Sequence, residues 1–461
     1  MAQARALLAE RLGPAVADKA TAEFAVVASQ RLEGNEPRPA TVVADPVRGT
    51  PPSPSPAVVQ FALPPLDDPE TSTTPTAGPA RDEAVAAARR AALEVLRPHL
   101  RALGIEHSDS DSGESDDVCW LNGTVRSSVP LERLAEVARD PAVVALAVPQ
   151  ATTLSRQRYQ PNYDTVGLPA FRADTGLTGR GVVVAVIDSE VAVHHPAFGG
   201  RAVQRLNLTA ERWNLPDDHG TAVAGIVAAD DVVYGGVAPE AAVHNYKAFD
   251  QRGDGDDFGC ARALAAAVAD GAMVANCSFR FDEPGGDHRL LTLAVDRAWS
   301  LGLVVVAAAG NAGQAGPPTG APADASGVIV VGATDVAGTK VAPYSSWGPI
   351  GGWPGPHLVA PGGINAEVPL AGCLANLRFG RLFDDGTSYA TPHVTGMVAL
   401  LAQAFGRTWS PSRYRLHLLA TARLLPGVPK RAQGFGLLRC VVPRPAPNDP
   451  PQRTPTQQSR L

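Results

Sequence analysis

The chain has 461 residues, of which 45% are hydrophobic and 19% charged, enough for two or three domains around a sizeable buried core. With a net charge of −6, no basic excess points to nucleic acid, and no run of 18 apolar residues marks a membrane span. The cysteines (Cys119, Cys260, Cys277, Cys373 and Cys440) are odd in number and lack Cys-x-x-Cys spacing, which supports neither a disulfide framework nor a zinc site.

Charges at Arg5 and Glu10 interrupt the N-terminus before a signal-peptide core can form. A cytoplasmic location is therefore the default expectation, with export by another route left open. Residues 1–56 read as an extension, with a helix over 4–24 and a Pro-rich linker over 37–56. Residues 57–150 read as a small α+β unit. Its strands are expected at 57–63, 118–125 and 143–148, its helices at 82–103 and 131–138, with a further candidate strand at 104–107. That order suits a ferredoxin-like sandwich.

Residues 151–180 form a connector. From 181 to 440, short apolar runs (182–187, 232–237, 273–275, 304–309 and 328–331) alternate with Ala-rich helical segments. This is the pattern of an α/β fold with a doubly wound, mostly parallel sheet buried on both faces. The Pro- and Gln-rich stretch 441–461 is expected to be a disordered tail.

Four segments place a polar residue where a buried strand ends or a helix begins, the position at which open α/β sheets build their sites. Asp188 closes the run Val184-Ala185-Val186-Ile187. Alone, such an Asp is more often a turn or cap residue. His219 opens the small-residue helix His219-Gly220-Thr221-Ala222-Val223-Ala224-Gly225; alone, it reads equally as a capping histidine. Ser388, in Gly386-Thr387-Ser388-Tyr389-Ala390-Thr391-Pro392-His393-Val394-Thr395-Gly396, starts a buried helix whose N–H groups favour a developing oxyanion. Alone, it is a plain N-cap. Asn311, in Ala308-Ala309-Gly310-Asn311, could donate its amide to the same oxyanion or simply build a turn.

The four arrive in the order Asp, His, Asn, Ser, separated by 31, 92 and 77 positions. With their flanking motifs they resemble the subtilisin-like (subtilase) family over roughly residues 165–440. Weaker echoes lie at Gly236-Val237-Ala238-Pro239, Val330-Val331-Gly332-Ala333 and Ala360-Pro361-Gly362. The resemblance implies a serine endopeptidase working through an acyl-enzyme. Ser388 would be the nucleophile, His219 the general base, Asp188 the orienting acid and Asn311 an oxyanion donor. It implies a protein or peptide substrate and no catalytic cofactor; a structural calcium site finds no support in the spacing. It also implies that 57–150 is a prodomain acting as an intramolecular inhibitor, removed by a cut between Val148 and Val166.

Substrate contacts are expected along Ser278-Phe279-Arg280 and Ala308-Ala309-Gly310. Gly320 would leave a deep pocket for the residue before the cut. Asp254 and Asp256 would attract basic residues upstream of it, or form a solvated charge run. Two positions depart from the family pattern. Glu190 replaces a glycine, adding strain if its φ is positive and a carboxylate near His219. Arg280 replaces another, narrowing the cleft, meeting an acidic substrate or turning to solvent. These departures motivate an alternative, a catalytically impaired scaffold or peptide-binding protein.

Overall fold

The computed structural model describes residues 163–442 except for 232–234, 282–288, 315–319, 350–354, 364–369, 378 and 383–384. Ahead of these it describes 57–61, 78–102, 118–119, 123–127, 134–147 and 151–153, with a few isolated positions. The expected extension helix and tail lie almost wholly outside the described residues, as does the candidate strand at 104–107.

The N-terminal unit runs β1 (Ala57–Phe61), α1 (Gly78–Ala102), β2 (Val118–Cys119), β3 (Thr124–Ser127), α2 (Leu134–Arg139) and β4 (Val143–Ala147). The strands pair antiparallel in the order β2-β3-β1-β4, the ferredoxin-like arrangement. The strand expected over 118–125 divides in two, because a turn closed by Gly123 N–H on the Cys119 carbonyl, with Gly123 at φ +71°, folds it back on itself. Helix α1 buries Val85, Ala92, Leu93, Leu96 and Leu100, spaced to line one helical face.

The connector contributes β5 (Ala151–Thr153) and α3 (Leu168–Thr175). A seven-stranded sheet follows, formed by β6 (Val183–Asp188), β7 (Ala202–Asn207), β8 (Ala242–Lys247), β10 (Val274–Cys277), β11 (Val304–Ala308), β12 (Ile329–Thr334) and β13 (Leu358–Pro361). Its order is β13-β12-β11-β10-β6-β8-β7, and every pairing is parallel. Between these strands lie α4 (Asp218–Ala228), the short β9 (Asp254–Asp256), α5 (Asp257–Ala269) and α6 (Arg289–Ser300). After them come the hairpin β14 (Leu370–Cys373) and β15 (Phe379–Leu382), and helix α7 (Thr387–Phe405).

Alternation along the strands builds two cores, one on each face. Val184, Val186, Val304 and Val306 pack with α4 and α7, while Ala185, Ile187, Val305 and Ala307 pack with α5 and α6. The second core continues without a break into the α1 face of the N-terminal unit, since α1 and β2 both contact α5.

The strand expected at 232–237 is absent from its described part. Val237 and Ala238 instead donate to the Ile226 and Val227 carbonyls, satisfying the C-terminal end of α4. A Cβ on Gly236 would stand 2.4 Å from the Gly225 carbonyl oxygen, so the chain crosses the helix at backbone contact. The strand that does join the sheet, β8, reads Ala-Val-His-Asn-Tyr-Lys, too polar to register as an apolar run.

Its last residue, Lys247, explains Glu190. Both are 1% exposed and their charges meet at 3.1 Å, with Glu211 3.0 Å from the same ammonium. Glu190 also accepts from Gln204 Nε2, Asn214 N–H and Leu215 N–H. Among the described residues only Asn214 and Leu377 are non-glycine with positive φ, so the strain expected at Glu190 does not arise. Its carboxylate is also committed to Lys247, not directed at His219.

Two stability outcomes follow. Gly236→Ala should cost about 1–3 kcal/mol through overpacking, read as a lower urea midpoint. Glu190→Gln should cost roughly 3 kcal/mol by weakening the pairing of a buried ammonium, and combining it with Lys247→Met should recover most of that loss.

Candidate active site

Asp188 ends β6 with no exposed surface, and His219 lies in the first turn of α4 at 3% exposure. The imidazole Nδ1–H donates to Asp188 Oδ1 at 2.8 Å. Asp217 caps α4, accepting the His219 backbone N–H at 2.9 Å, and Ser189 Oγ bridges to Asp217 Oδ1 at 3.1 Å. Ser189 also accepts the Gly220 N–H, and its own N–H donates to Asp188 at 2.8 Å. A Cβ on Gly220 would meet the Ser189 carbonyl at 2.6 Å, so the helix can approach the strand end only through glycine. The Tyr389 ring packs on His219 at 5.4 Å between centroids. A carboxylate can only accept, so the Asp188 contact puts the proton on Nδ1 and leaves Nε2 as the ring nitrogen with a lone pair in the neutral imidazole.

Ser388 stands in the first turn of α7, 1% exposed. Pro392, four residues on, has no N–H to offer the Ser388 carbonyl. Ser278 Oγ supplies the missing donor at 2.5 Å, and is itself held by Asn276 Nδ2 at 2.8 Å. Thr395 Oγ1 donates to Asn276 Oδ1 at 2.8 Å, so β10 and α7 are sewn together at the serine. The Ser388 hydroxyl rests on the Ser278 carbonyl at 2.9 Å. The second motif histidine, His393, is fully buried with Nδ1 on the Tyr389 carbonyl, and burial pushes its pKa down to about 4. It is neutral at physiological pH.

Asn311 follows β11. Its Oδ1 accepts from both the N–H and the hydroxyl of Thr387, each at 2.9 Å, which turns Nδ2 the other way. A Cβ built on Gly386 would lie 3.4 Å from Asn311 Nδ2 and 3.7 Å from Ser388 N. Two N–H donors therefore flank the space left by a missing side chain, at the amino end of a 19-residue helix.

The expected substrate-contact residues fare unevenly. Ser278 meets the Ser388 carbonyl through its hydroxyl, and Gly310 donates its N–H to Thr387 Oγ1. Phe279 does not present its side chain there; it is 2% exposed and packs on Phe249 and Phe281. Arg280 neither turns to solvent nor reaches into the cleft, because Nη1 donates to the Ala309 carbonyl at 2.8 Å. Gly320 lies against backbone, since its Cβ would fall 1.5 Å from the Phe281 carbonyl oxygen, and the deep pocket expected from it is not what the glycine provides. Asp256 is the N-cap of α5, accepting Gly259 N–H, and Asp254 faces the Arg252 guanidinium at 3.6 Å. Asp256 is thus committed to the start of α5, whereas Asp254 stays partly exposed beside an exposed Arg252. The backbone of these residues is engaged as well: β9 pairs antiparallel with β5, Ala151 opposite Asp256 and Thr153 opposite Asp254.

Sequence reasoning missed Thr387, Asn276, Thr395 and Ser346. Only Pro392, a helix-interior proline four residues after Ser388, signalled that an outside donor was needed. Among the described residues no cluster of three His, Cys, Asp or Glu could hold a metal ion, and no helix is long and apolar enough to cross a membrane.

The Subtilase family model matches residues 179–436, more than half of the chain. The chain is 34% identical over 289 residues to an alkaline protease of Alkalihalobacillus alcalophilus, covering 62% of this chain and 70% of that protein. It is 36% identical over 253 residues to subtilisin Savinase of Lederbergia lenta, covering 54% and 86%. The crystal structure of a cold-adapted subtilisin-like serine proteinase aligns over 58% of this chain and 92% of its own, with a TM-score of 0.49 and 24% identity. The relatives overturn the expected cytoplasmic location: one is the minor extracellular protease Epr of Bacillus subtilis (strain 168), 34% identical over 230 residues, 50% of this chain and 33% of that protein. With the motif segments Asp188, His219, Asn311 and Ser388 all inside the matched region, this chain belongs to the subtilase family and is a serine endopeptidase.

Proposed function

We propose that Ser388, His219 and Asp188 are the nucleophile, general base and orienting acid of this endopeptidase, and that Asn311 Nδ2 and the Ser388 N–H stabilise the oxyanion. The buried Asp188–His219 hydrogen bond carries the reading. In the resting arrangement the Ser388 hydroxyl leans on the Ser278 carbonyl. Rotation about χ1 would swing it to His219 Nε2, which takes the proton as Oγ attacks the scissile carbonyl. The carbonyl oxygen then gains charge in the space beside Gly386, where the two N–H donors converge. His219 returns the proton to the leaving amine, and water hydrolyses the acyl-enzyme by the same route reversed. Subtilases need no cofactor for this chemistry.

The impaired-scaffold alternative loses its grounds. The two residues that motivated it have structural assignments, Glu190 to Lys247 and Arg280 to the Ala309 carbonyl.

The N-terminal α+β unit is read as a prodomain over 57–150 that inhibits its own peptidase. Its contact with α5 and the β5–β9 pairing support this, since the connector thereby occupies an edge beside the site as an extended strand.

A fluorophosphonate should add one adduct to the wild-type protein and none to Ser388→Ala, read by intact mass; labelling of both would exclude Ser388 as the nucleophile. The same spectra should show the wild type shortened by a cut between Val148 and Val166 and Ser388→Ala at full length. Wild type that stays at full length while active would contradict the self-processing reading.

A further inference from the structure

The turn that carries Asn311 is gripped from two sides. On the first, Thr387 holds the Asn311 side chain and takes the Gly310 N–H at 3.1 Å. On the second, Ser346 donates its N–H to the Gly310 carbonyl at 2.9 Å, and its hydroxyl accepts the Ala312 N–H at 3.1 Å. Arg280 completes the second grip. One nitrogen, Nη1, donates to the Ala309 carbonyl at 2.8 Å and to Ser346 Oγ at 3.2 Å. The guanidinium also lies where a side chain on Gly310 would be, with Cζ 2.5 Å from the position of a Cβ there.

Arg280 therefore touches the turn two residues before Asn311, packs on the residue before it, and reaches the residue after it through Ser346. Gly310 sits at φ +95°, where a glycine linkage is intrinsically loose. A displacement of about 1 Å in a positioned group can cost roughly 100-fold in rate. Arg280 is only 6% exposed, so its fork is fixed against the turn and is not sampling solvent.

We infer that Arg280, with Ser346, is a positioning residue that holds Asn311 Nδ2 at the oxyanion site. The inference rests on the proposed role of Asn311. It predicts that Arg280 acts on the rate only through that amide.

The test is a double-mutant cycle on the full chain, measuring kcat and KM on peptide amides, with thermal melting as a control for folding. Asn311→Ala should lower kcat by about 100- to 1,000-fold. Arg280→Met, which keeps the aliphatic stem and removes the donors, should lower kcat by about 10- to 100-fold with little change in KM. In the Asn311→Ala background the same substitution should have almost no further effect. Equal losses in both backgrounds would overturn the inference, leaving Arg280 as general scaffolding. A rise in kcat/KM for peptides with a bulky residue before the cut would also overturn it, showing that Arg280 obstructs a pocket. An Asn311→Ala enzyme with unchanged kcat would remove the oxyanion reading itself, a separate failure. Should Arg280→Met lose its cooperative melt, Ser346→Ala enters the same cycle, since it cuts the links to both Arg280 and Ala312.

Discussion

Helix α7 begins with a carbonyl its own backbone cannot satisfy, and much of the site is organised around that deficit. Pro392 leaves the Ser388 carbonyl without an intrahelical donor. An unpaired buried carbonyl would cost about 1–3 kcal/mol. Ser278 answers it from the end of β10, and Asn276 and Thr395 close the loop back to the helix. The remedy dictates geometry. The serine can stand only where a strand end delivers a hydroxyl, which pins the amino end of α7 to the carboxyl edge of the sheet. The strand order makes that edge a switch point, because β7 and β8 lie on one side of β6 and β10 to β13 on the other.

Charge is handled by pairing near the site. Glu190 lies two residues past Asp188, yet its carboxylate turns to the buried Lys247, which also meets Glu211. Asp217, two residues before His219, is occupied with the backbone start of α4 and with Ser189. Asp188 is left as the carboxylate that meets the imidazole. Of this crowded stretch of acids, Asp188 meets the His219 imidazole and Asp217 its backbone N–H, while Glu190 holds the elements around them.

The legibility of the sequence follows from the same physics. Asp188, His219, Asn311 and Ser388 each stand where an apolar run or small-residue helix meets a polar residue, which marked them as candidates; the resemblance of their flanking motifs to the subtilase family supplied their expected roles. The strands β6, β10, β11 and β12 were readable because both their faces are buried and their runs are apolar. Strand β8 was not, because Asn245 and Lys247 are buried against polar partners distant in sequence, Val191 N–H for the first and Glu190 and Glu211 for the second. The run 232–237 misled for the opposite reason: in its described part Gly236 and Val237 serve the end of a helix, not a sheet. Arg280 was opaque because a one-dimensional reading cannot show a long side chain folding back onto Gly310. Phe279 and Gly320 failed likewise, one belonging to an aromatic core and the other to a backbone crossing.

The β5–β9 pairing has a kinetic meaning. A strand held on an edge by main-chain bonds is recognised by its extended shape more than by its side chains, so many peptides could compete for that edge. The occupant here is covalently tethered, and a short tether holds a ligand at an effective concentration on the order of millimolar. Under the proposed prodomain role, dilute peptides would lose that contest whatever their sequence. Breaking the tether converts an intramolecular occupant into an ordinary dissociable one, so a single chain cleavage would act as a one-way latch, with dilution completing what the cut begins.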